Sequence, residues 1–155
     1  MNILFCHGKE GNPDGNKARA LKALPNAGIV ATPRLTNSFS DYDFTKDLEM
    51  VMKVADTVDI IIGSSRGGAL VCQMNINKKK ILIAPAWKKF KVIPHLNSDD
   101  IILHCKEDKL VPYEDSVQLV NMFGCKLIEC GINHRMSDNK TLNTIKNIII
   151  EAANG

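Results

Sequence analysis

Residues 58–71 read Val-Asp-Ile-Ile-Ile-Gly-Ser-Ser-Arg-Gly-Gly-Ala-Leu-Val, and this stretch decides the fold. A short β-branched run meets the G-x-S-x-G motif of residues 63–67, and an apolar, helix-like segment follows. Gly63 and Gly67 let strand and helix pass closely, so the Ser65 hydroxyl projects from a tight turn beside the free N–H groups of a helix N-terminus. The alternative interpretation is a glycine-rich turn that only makes a sharp corner.

An acid and then a histidine follow Ser65 at the ends of later predicted strands. Residues 101–105 read as a buried strand, and Asp108 lies in the loop after it. Residues 126–130 read as the last strand, and His134 follows four residues later. A serine hydroxyl is a poor nucleophile unless a base takes its proton, so a histidine oriented by a carboxylate is the partner it needs. Glu107 and Asp138 remain alternatives for that carboxylate.

Four segments of the chain resemble the alpha/beta-hydrolase superfamily. They are the turn of residues 63–68, the D-x-x-V-P-like segment of residues 107–112, the histidine loop of residues 131–134 and the His-Gly loop after the first strand, residues 4–8. Within the superfamily the chain is most similar to small, lidless, single-domain esterase-like proteins. The resemblance implies roles for six positions: Ser65 as nucleophile, Asp108 as acid, His134 as base, and the main-chain N–H groups of Arg66, Gly8 and Lys9 as donors to the oxyanion.

Other aromatic and histidine side chains are candidates for the substrate pocket or for the core. His7 shapes the oxyanion loop and borders the pocket, whereas His104 lies inside an apolar strand and is interpreted as a core histidine with satisfied hydrogen bonds. Trp87 and Phe90 are predicted to wall an acyl pocket. The alternative is a solvated basic turn in which Trp87 anchors the segment on the core. His95 lies in a polar connection.

Composition indicates one globular domain over residues 1–155. The chain has 45% hydrophobic and 24% charged residues, and its net charge of +3 is too small to indicate nucleic-acid binding. The five cysteines contain no C-x-x-C pair, which favours buried thiols in a cytoplasmic protein over disulfides or a metal site. The glycine-rich segment of residues 8–16 lacks the nucleotide-binding motifs. We therefore expect no metal, no cofactor and no stable membrane insertion.

Apolar runs alternate with helical patterns along the whole chain. This alternation predicts an α/β fold with a doubly wound, mostly parallel six-stranded sheet, helices on both faces and strand order 2-1-3-4-5-6. The strands are predicted near residues 2–6, 28–32, 58–62, 80–84, 100–105 and 125–129. A helix capped near Ser40 precedes the third strand, Pro112 and Gly124 bound a later helix, and Asp138 or Asn139 caps the last one.

These features predict a serine hydrolase that cleaves a small carboxylic ester or thioester. The partner expected for the chain is therefore a small-molecule substrate, with the oligomeric state left open. Two alternatives remain: an acyltransferase that uses the same three side chains, and a non-catalytic binding or scaffold protein that keeps the fold. The absence of an insertion long enough to form a lid disfavours long-chain lipid substrates.

Overall fold

A central sheet of six parallel strands forms the core of the computed structural model, which describes residues 1–8 and 11–154. The strands are β1 Ile3–Cys6, β2 Val30–Ala31, β3 Ile60–Ser64, β4 Lys79–Ile83, β5 Ile101–His104 and β6 Lys126–Glu129. Their order is β2-β1-β3-β4-β5-β6, and every pairing is parallel. The predicted fold class and strand order are confirmed.

Within the described ranges, five helices cover the two faces of this sheet. They are α1 Asn16–Lys22, α2 Asp41–Ala55, α3 Arg66–Gln73, α4 Tyr113–Phe123 and α5 Asn139–Asn154. Successive strand residues point to opposite faces, so Leu4 packs in the layer of α2, α3 and α4, while Ile3 packs in the layer of α1 and α5. Because both faces are covered, the central strands are buried along their whole length.

Local signals set the helix ends as predicted. The Ser40 side chain accepts a hydrogen bond from the Asp43 N–H, at 3.0 Å, and so caps α2. Pro112 precedes α4, and Gly124 ends it in the left-handed conformation, with φ of 70°. The Asp138 carboxylate accepts from the Thr141 N–H in the first turn of α5, which makes Asp138 the cap. In the described ranges, no helix has the length and apolarity needed to cross a membrane.

Candidate active site

Parallel strands end at one edge of the sheet, and the predicted site residues lie there. Gly8 follows β1, Ser65 follows β3, Asp108 follows β5 and His134 follows β6. In open α/β sheets this edge is the usual position of a ligand site. The topology therefore gathers residues that lie up to 126 positions apart in the sequence.

The turn at Ser65 has the strained geometry that the motif predicts. Ser65 has φ of 55° and ψ of −112°, a conformation that non-glycine residues rarely adopt. A Cβ at Gly63 would collide with the Gly67 carbonyl, and a Cβ at Gly67 would collide with the Cys6 carbonyl. The two glycines thus allow β1, β3 and α3 to approach closely enough to hold Ser65 in this turn.

A chain of hydrogen bonds links the three predicted catalytic side chains. Ser65 Oγ lies 2.8 Å from His134 Nε2, and His134 Nδ1 lies 2.6 Å from Asp108 Oδ2. A carboxylate only accepts, so Nδ1 carries the imidazole proton and the lone pair of Nε2 faces the hydroxyl. This is the tautomer that a general base requires. The Asp108 side chain is fully buried and that of His134 is 17% exposed.

Main-chain N–H groups fix the Asp108 carboxylate from its other side. Oδ1 accepts from the N–H groups of Leu110 and Val111, both at 2.8 Å. Burial by itself would raise the pKa of Asp108, but the hydrogen bonds from Val111, His134 and Leu110 outweigh it and hold the pKa below its ordinary value. Asp108 is therefore ionised across the neutral pH range.

Of the carboxylates that the sequence left open, only Asp108 contacts His134 among the residues described. Glu107 is exposed and accepts a hydrogen bond from the Cys105 thiol at 3.2 Å. Asp138 caps α5 and accepts from the Thr141 hydroxyl at 2.8 Å. Both alternatives have partners away from the imidazole.

Two of the predicted oxyanion donors lie beside the hydroxyl. The N–H of Arg66 belongs to the first turn of α3, where N–H groups have no acceptor within the helix. Gly8 packs against the turn so closely that a Cβ there would lie 3.2 Å from Ser65 Cβ. The third predicted donor, Lys9, lies outside the described residues.

A cavity of about 790 Å³ opens at Ser65, and two of the three predicted pocket residues line it. His7 and Phe90 form part of its wall. Trp87 does not, which corrects the sequence prediction. The Trp87 indole instead donates to the Asp115 carbonyl at 3.0 Å, and its ring packs on the core beside α4. In that position the apolar ring of the tryptophan fills space in the core, and its single N–H group donates to the carbonyl.

The neutral form of His7 supports the loop after β1. Its Nε2 accepts from the Leu35 N–H at 2.9 Å, so the proton is on Nδ1, which donates to the Gly8 carbonyl at 2.8 Å. Burial lowers the pKa of His7, which favours this uncharged form. The side chain holds the loop next to Ser65, in keeping with its predicted part in shaping that loop.

Sequence reasoning missed a buried ion pair under the site. The guanidinium of Arg66, 1% exposed, lies 2.6 Å from the Asp47 carboxylate of α2. It also donates to the Ser38 carbonyl and to the Thr36 hydroxyl, and it lies over the ring of Phe90. Asp47 lies on the otherwise apolar face of α2. An acidic residue among apolar ones was the only feature of the sequence that indicated a buried ion pair.

Comparison with known proteins supports the fold. The sequence matches no protein-family model and no curated protein at a significant level. Among solved structures, a protein from Xanthomonas campestris assigned to the alpha/beta hydrolase superfamily has a TM-score of 0.82 at 18% identity, covering 99% of this chain and 98% of that one. The ydeN gene product of Bacillus subtilis has a TM-score of 0.75 at 11% identity, with both chains covered completely.

A third similar structure is Est1E from Butyrivibrio proteoclasticus. Its TM-score is 0.72 at 18% identity, and the match covers 99% of this chain and 88% of that one. Identities this low establish a shared fold and leave activity to be argued from the site. The chain has the fold of the alpha/beta-hydrolase superfamily, as its sequence motifs predicted.

Proposed function

We propose that this protein is a serine hydrolase that cleaves a small carboxylic ester or thioester through an acyl-enzyme. The observation that carries the proposal is the continuous chain of hydrogen bonds from Ser65 through His134 to the buried Asp108. It is consistent with the hydrolase assignment of the Xanthomonas campestris protein, which has a similar fold.

Each step of the reaction uses one of these contacts. His134 Nε2 takes the hydroxyl proton while Ser65 Oγ attacks the carbonyl carbon of the substrate. The charge that develops on the carbonyl oxygen is stabilised by the N–H groups of Arg66 and Gly8. His134 then protonates the departing alcohol or thiol. A water molecule, deprotonated by the same imidazole, hydrolyses the acyl-enzyme and restores the Ser65 hydroxyl.

Asp108 has two tasks in this scheme. Its Oδ2 keeps the proton of His134 on Nδ1, so that the lone pair of Nε2 faces the serine. Its negative charge stabilises the imidazolium that forms during attack, without itself accepting a proton. The N–H groups of Leu110 and Val111 hold the carboxylate in the orientation that serves both tasks.

A fluorophosphonate probe tests the nucleophile. We expect one stoichiometric adduct, located at Ser65 by peptide mapping, because among the serines that the structure describes only this one has both a base and a nearby oxyanion site. Ser65→Ala should abolish labelling and lower ester hydrolysis by about 10³-fold or more. The neighbouring Ser64 is buried and serves as the control, since Ser64→Ala should retain labelling. A folded protein that is not labelled, or is labelled elsewhere, would identify a non-catalytic binding protein or another nucleophile.

A matched pair of variants tests the acid. Asp108→Asn should lower kcat by about 10³- to 10⁴-fold, because an amide cannot stabilise the imidazolium. The control Glu107→Gln removes one negative charge at the adjacent position and should leave kcat within about twofold of wild type. The measurement is kcat and KM on the same ester for all three proteins. A large loss of kcat in Glu107→Gln, with kcat of Asp108→Asn close to wild type, would overturn the assignment of Asp108 as the acid.

A further inference from the structure

The cavity at Ser65 is lined by more positive than negative charge. Apart from Arg66, its described lining includes four cationic side chains but one carboxylate, that of Asp14. The cations are Lys17, Arg19, Lys89 and Arg135. The Arg66 guanidinium also reaches the lining, but the Asp47 carboxylate balances its charge. The four other cations therefore determine the electrostatic potential that a substrate meets.

These cations have no counter-ion of their own in the part of the chain that the structure describes. No carboxylate there lies within 4.0 Å of Lys17, Arg19, Lys89 or Arg135. Asp14, the one acidic group of the lining, lies 3.6 Å from the ammonium of Lys22, which is outside the lining. The excess positive charge in the cavity is thus left for a ligand to neutralise.

Lys17 is the cation most firmly placed. Its Nζ donates to the Arg135 carbonyl at 2.5 Å, which ties α1 to the residue directly after His134. Burial and the charge of Arg135 lower the pKa of Lys17 to about 8, although Asp138 acts in the opposite direction. An ammonium whose charge is disfavoured in this way gains stability when an anion binds beside it. One of its three N–H groups is used by Arg135, and among the described residues no acceptor takes the other two, which are placed for a ligand.

The cavity lining divides into two groups of different character. Phe39 and Phe90 stack with ring centroids 5.8 Å apart, and Lys89 lies over the ring of Phe39. Lys17 and Arg135 form the other group: Lys17 Nζ donates to the Arg135 carbonyl, and Arg135 directly follows His134 in the sequence. An ester with one apolar part and one charged part matches such a lining better than a wholly apolar ester.

We infer that the substrate carries a carboxylate in addition to its ester or thioester bond, and that Lys17 and Arg135 bind this carboxylate beside His134. The inference rests on the proposed function, because it names the class of substrate for the same serine. Arg135 offers paired N–H donors that match the two oxygens of a carboxylate, and Lys17 adds a compact charge. Both cations act on binding and take no part in the bond changes at Ser65.

Two pairs of chromogenic esters test the inference and locate the carboxylate. The first pair is 4-nitrophenyl hydrogen adipate and its neutral methyl ester, with the charge on the acyl part. The second is 4-acetoxybenzoate and its methyl ester, with the charge on the leaving group. In at least one pair we expect kcat/KM of wild type to be about tenfold higher for the charged ester, with the difference mainly in KM.

Variants that remove a positive charge show which side chains cause the preference for the charged ester. Lys17→Met and Arg135→Gln should each raise KM for the preferred charged ester about tenfold more than KM for its neutral partner, so that the ratio between the two esters reports the lost charge. Arg135→Lys keeps the charge and should restore part of the preference. Lys53→Gln, on the exposed side of α2 and away from the cavity, removes the same net charge and should change neither ester.

The outcomes separate this inference from the proposed function. Equal kcat/KM for charged and neutral esters in both pairs overturns the inference, as does the absence of turnover of all four esters by a protein whose Ser65 is labelled by fluorophosphonate. A preference that survives both Lys17→Met and Arg135→Gln overturns the assignment of these side chains. Failure of Ser65 to react with fluorophosphonate overturns the proposed function itself.

Discussion

Asp108 Oδ2 has a second imidazole neighbour, His104, which the sequence placed only in the core. His104 is fully buried, with Nε2 3.1 Å from Asp108 Oδ2 and 3.0 Å from the Val111 carbonyl. Both neighbours are acceptors, so Nε2 carries the proton and Nδ1 accepts from the Ser116 hydroxyl at 2.6 Å. The imidazole is thus a neutral donor that helps to hold the carboxylate facing His134.

This arrangement predicts a pH-dependent contribution of His104 to stability. Burial lowers the pKa of His104, so the unfolded chain binds this proton near pH 6.5 while the folded chain does not. The free energy of unfolding must then fall as the pH drops below about 6.5 towards the folded-state pKa, by up to about 1.4 kcal/mol per pH unit. His104→Gln should be less stable at pH 7.5 but show a shallower loss between pH 7.5 and 5.5, measured by urea unfolding.

The comparison isolates His104 because the other groups titrate in both proteins. Burial lowers the pKa of His7 too, and its contribution has the same sign in wild type and variant. Equal slopes of stability against pH in the two proteins would show that the pKa of His104 is the same in the folded and the unfolded chain, which would contradict its lowering by burial. A steeper slope in the variant would also contradict the neutral tautomer derived from its contacts.

Between elements, the Arg66–Asp47 pair joins the start of α3 to the middle of α2. The two side chains are 1% and 5% exposed, and Asp47 also accepts from the Thr36 N–H and hydroxyl. Arg66 follows Ser65 directly, so the pair that fixes its side chain also fixes the first turn of α3. The geometry of the nucleophile turn thus depends on a contact that reaches 19 positions along the chain.

Removing one partner of this pair should lower the stability of the protein strongly. Asp47→Asn leaves the Arg66 guanidinium buried without a counter-charge, and we expect a loss of about 3–5 kcal/mol in the free energy of unfolding. The matched control is Glu49→Gln on the same helix, because Glu49 is exposed and pairs with Lys46 at 3.8 Å. Such a surface pair contributes at most about 1 kcal/mol. Similar losses for both variants in urea unfolding would refute a special role for the buried pair.

Contacts that are local in sequence were predictable, and distant ones were not. The Ser40 cap and the Gly124 stop follow from a few adjacent residues, and the structure has them where the pattern indicated. The partner of Trp87, by contrast, is a carbonyl on α4, 28 positions away. Nothing in the residues around Trp87 distinguishes a side chain that faces a pocket from one that packs beneath the next helix.

At the scale of the whole molecule, continuous apolar runs located the six strands but gave their ends less well. Predicted strands near residues 28–32 and 58–62 became Val30–Ala31 and Ile60–Ser64. The third strand extends further because Gly63 and Ser64 pair with Leu82 and Ile83 of β4. That pairing depends on the register of a neighbour, which a single apolar run does not specify.

The two faces of the sheet carry separate sets of buried thiols. Cys6, Cys72 and Cys125 lie in the layer of α2, α3 and α4, and Cys105 and Cys130 lie in the layer of α1 and α5. All five are free and buried. Burial raises the pKa of Cys6 and of Cys72 to about 12, and it raises the pKa of the other three thiols as well. Few reactive thiolates are therefore present in the folded protein.

These thiols predict how the molecule unfolds. The native protein should release less than one equivalent of thionitrobenzoate from Ellman's reagent, and all five thiols should react in concentrated urea. Because the same six strands support both layers, we expect the layers to open together in one cooperative transition. Near the urea midpoint the five thiols should then appear with one rate constant, which equals the unfolding rate measured by circular dichroism when the reagent is in excess. Two kinetic phases, divided by peptide mapping into the three thiols of one face and the two of the other, would show instead that one layer detaches before the sheet unfolds.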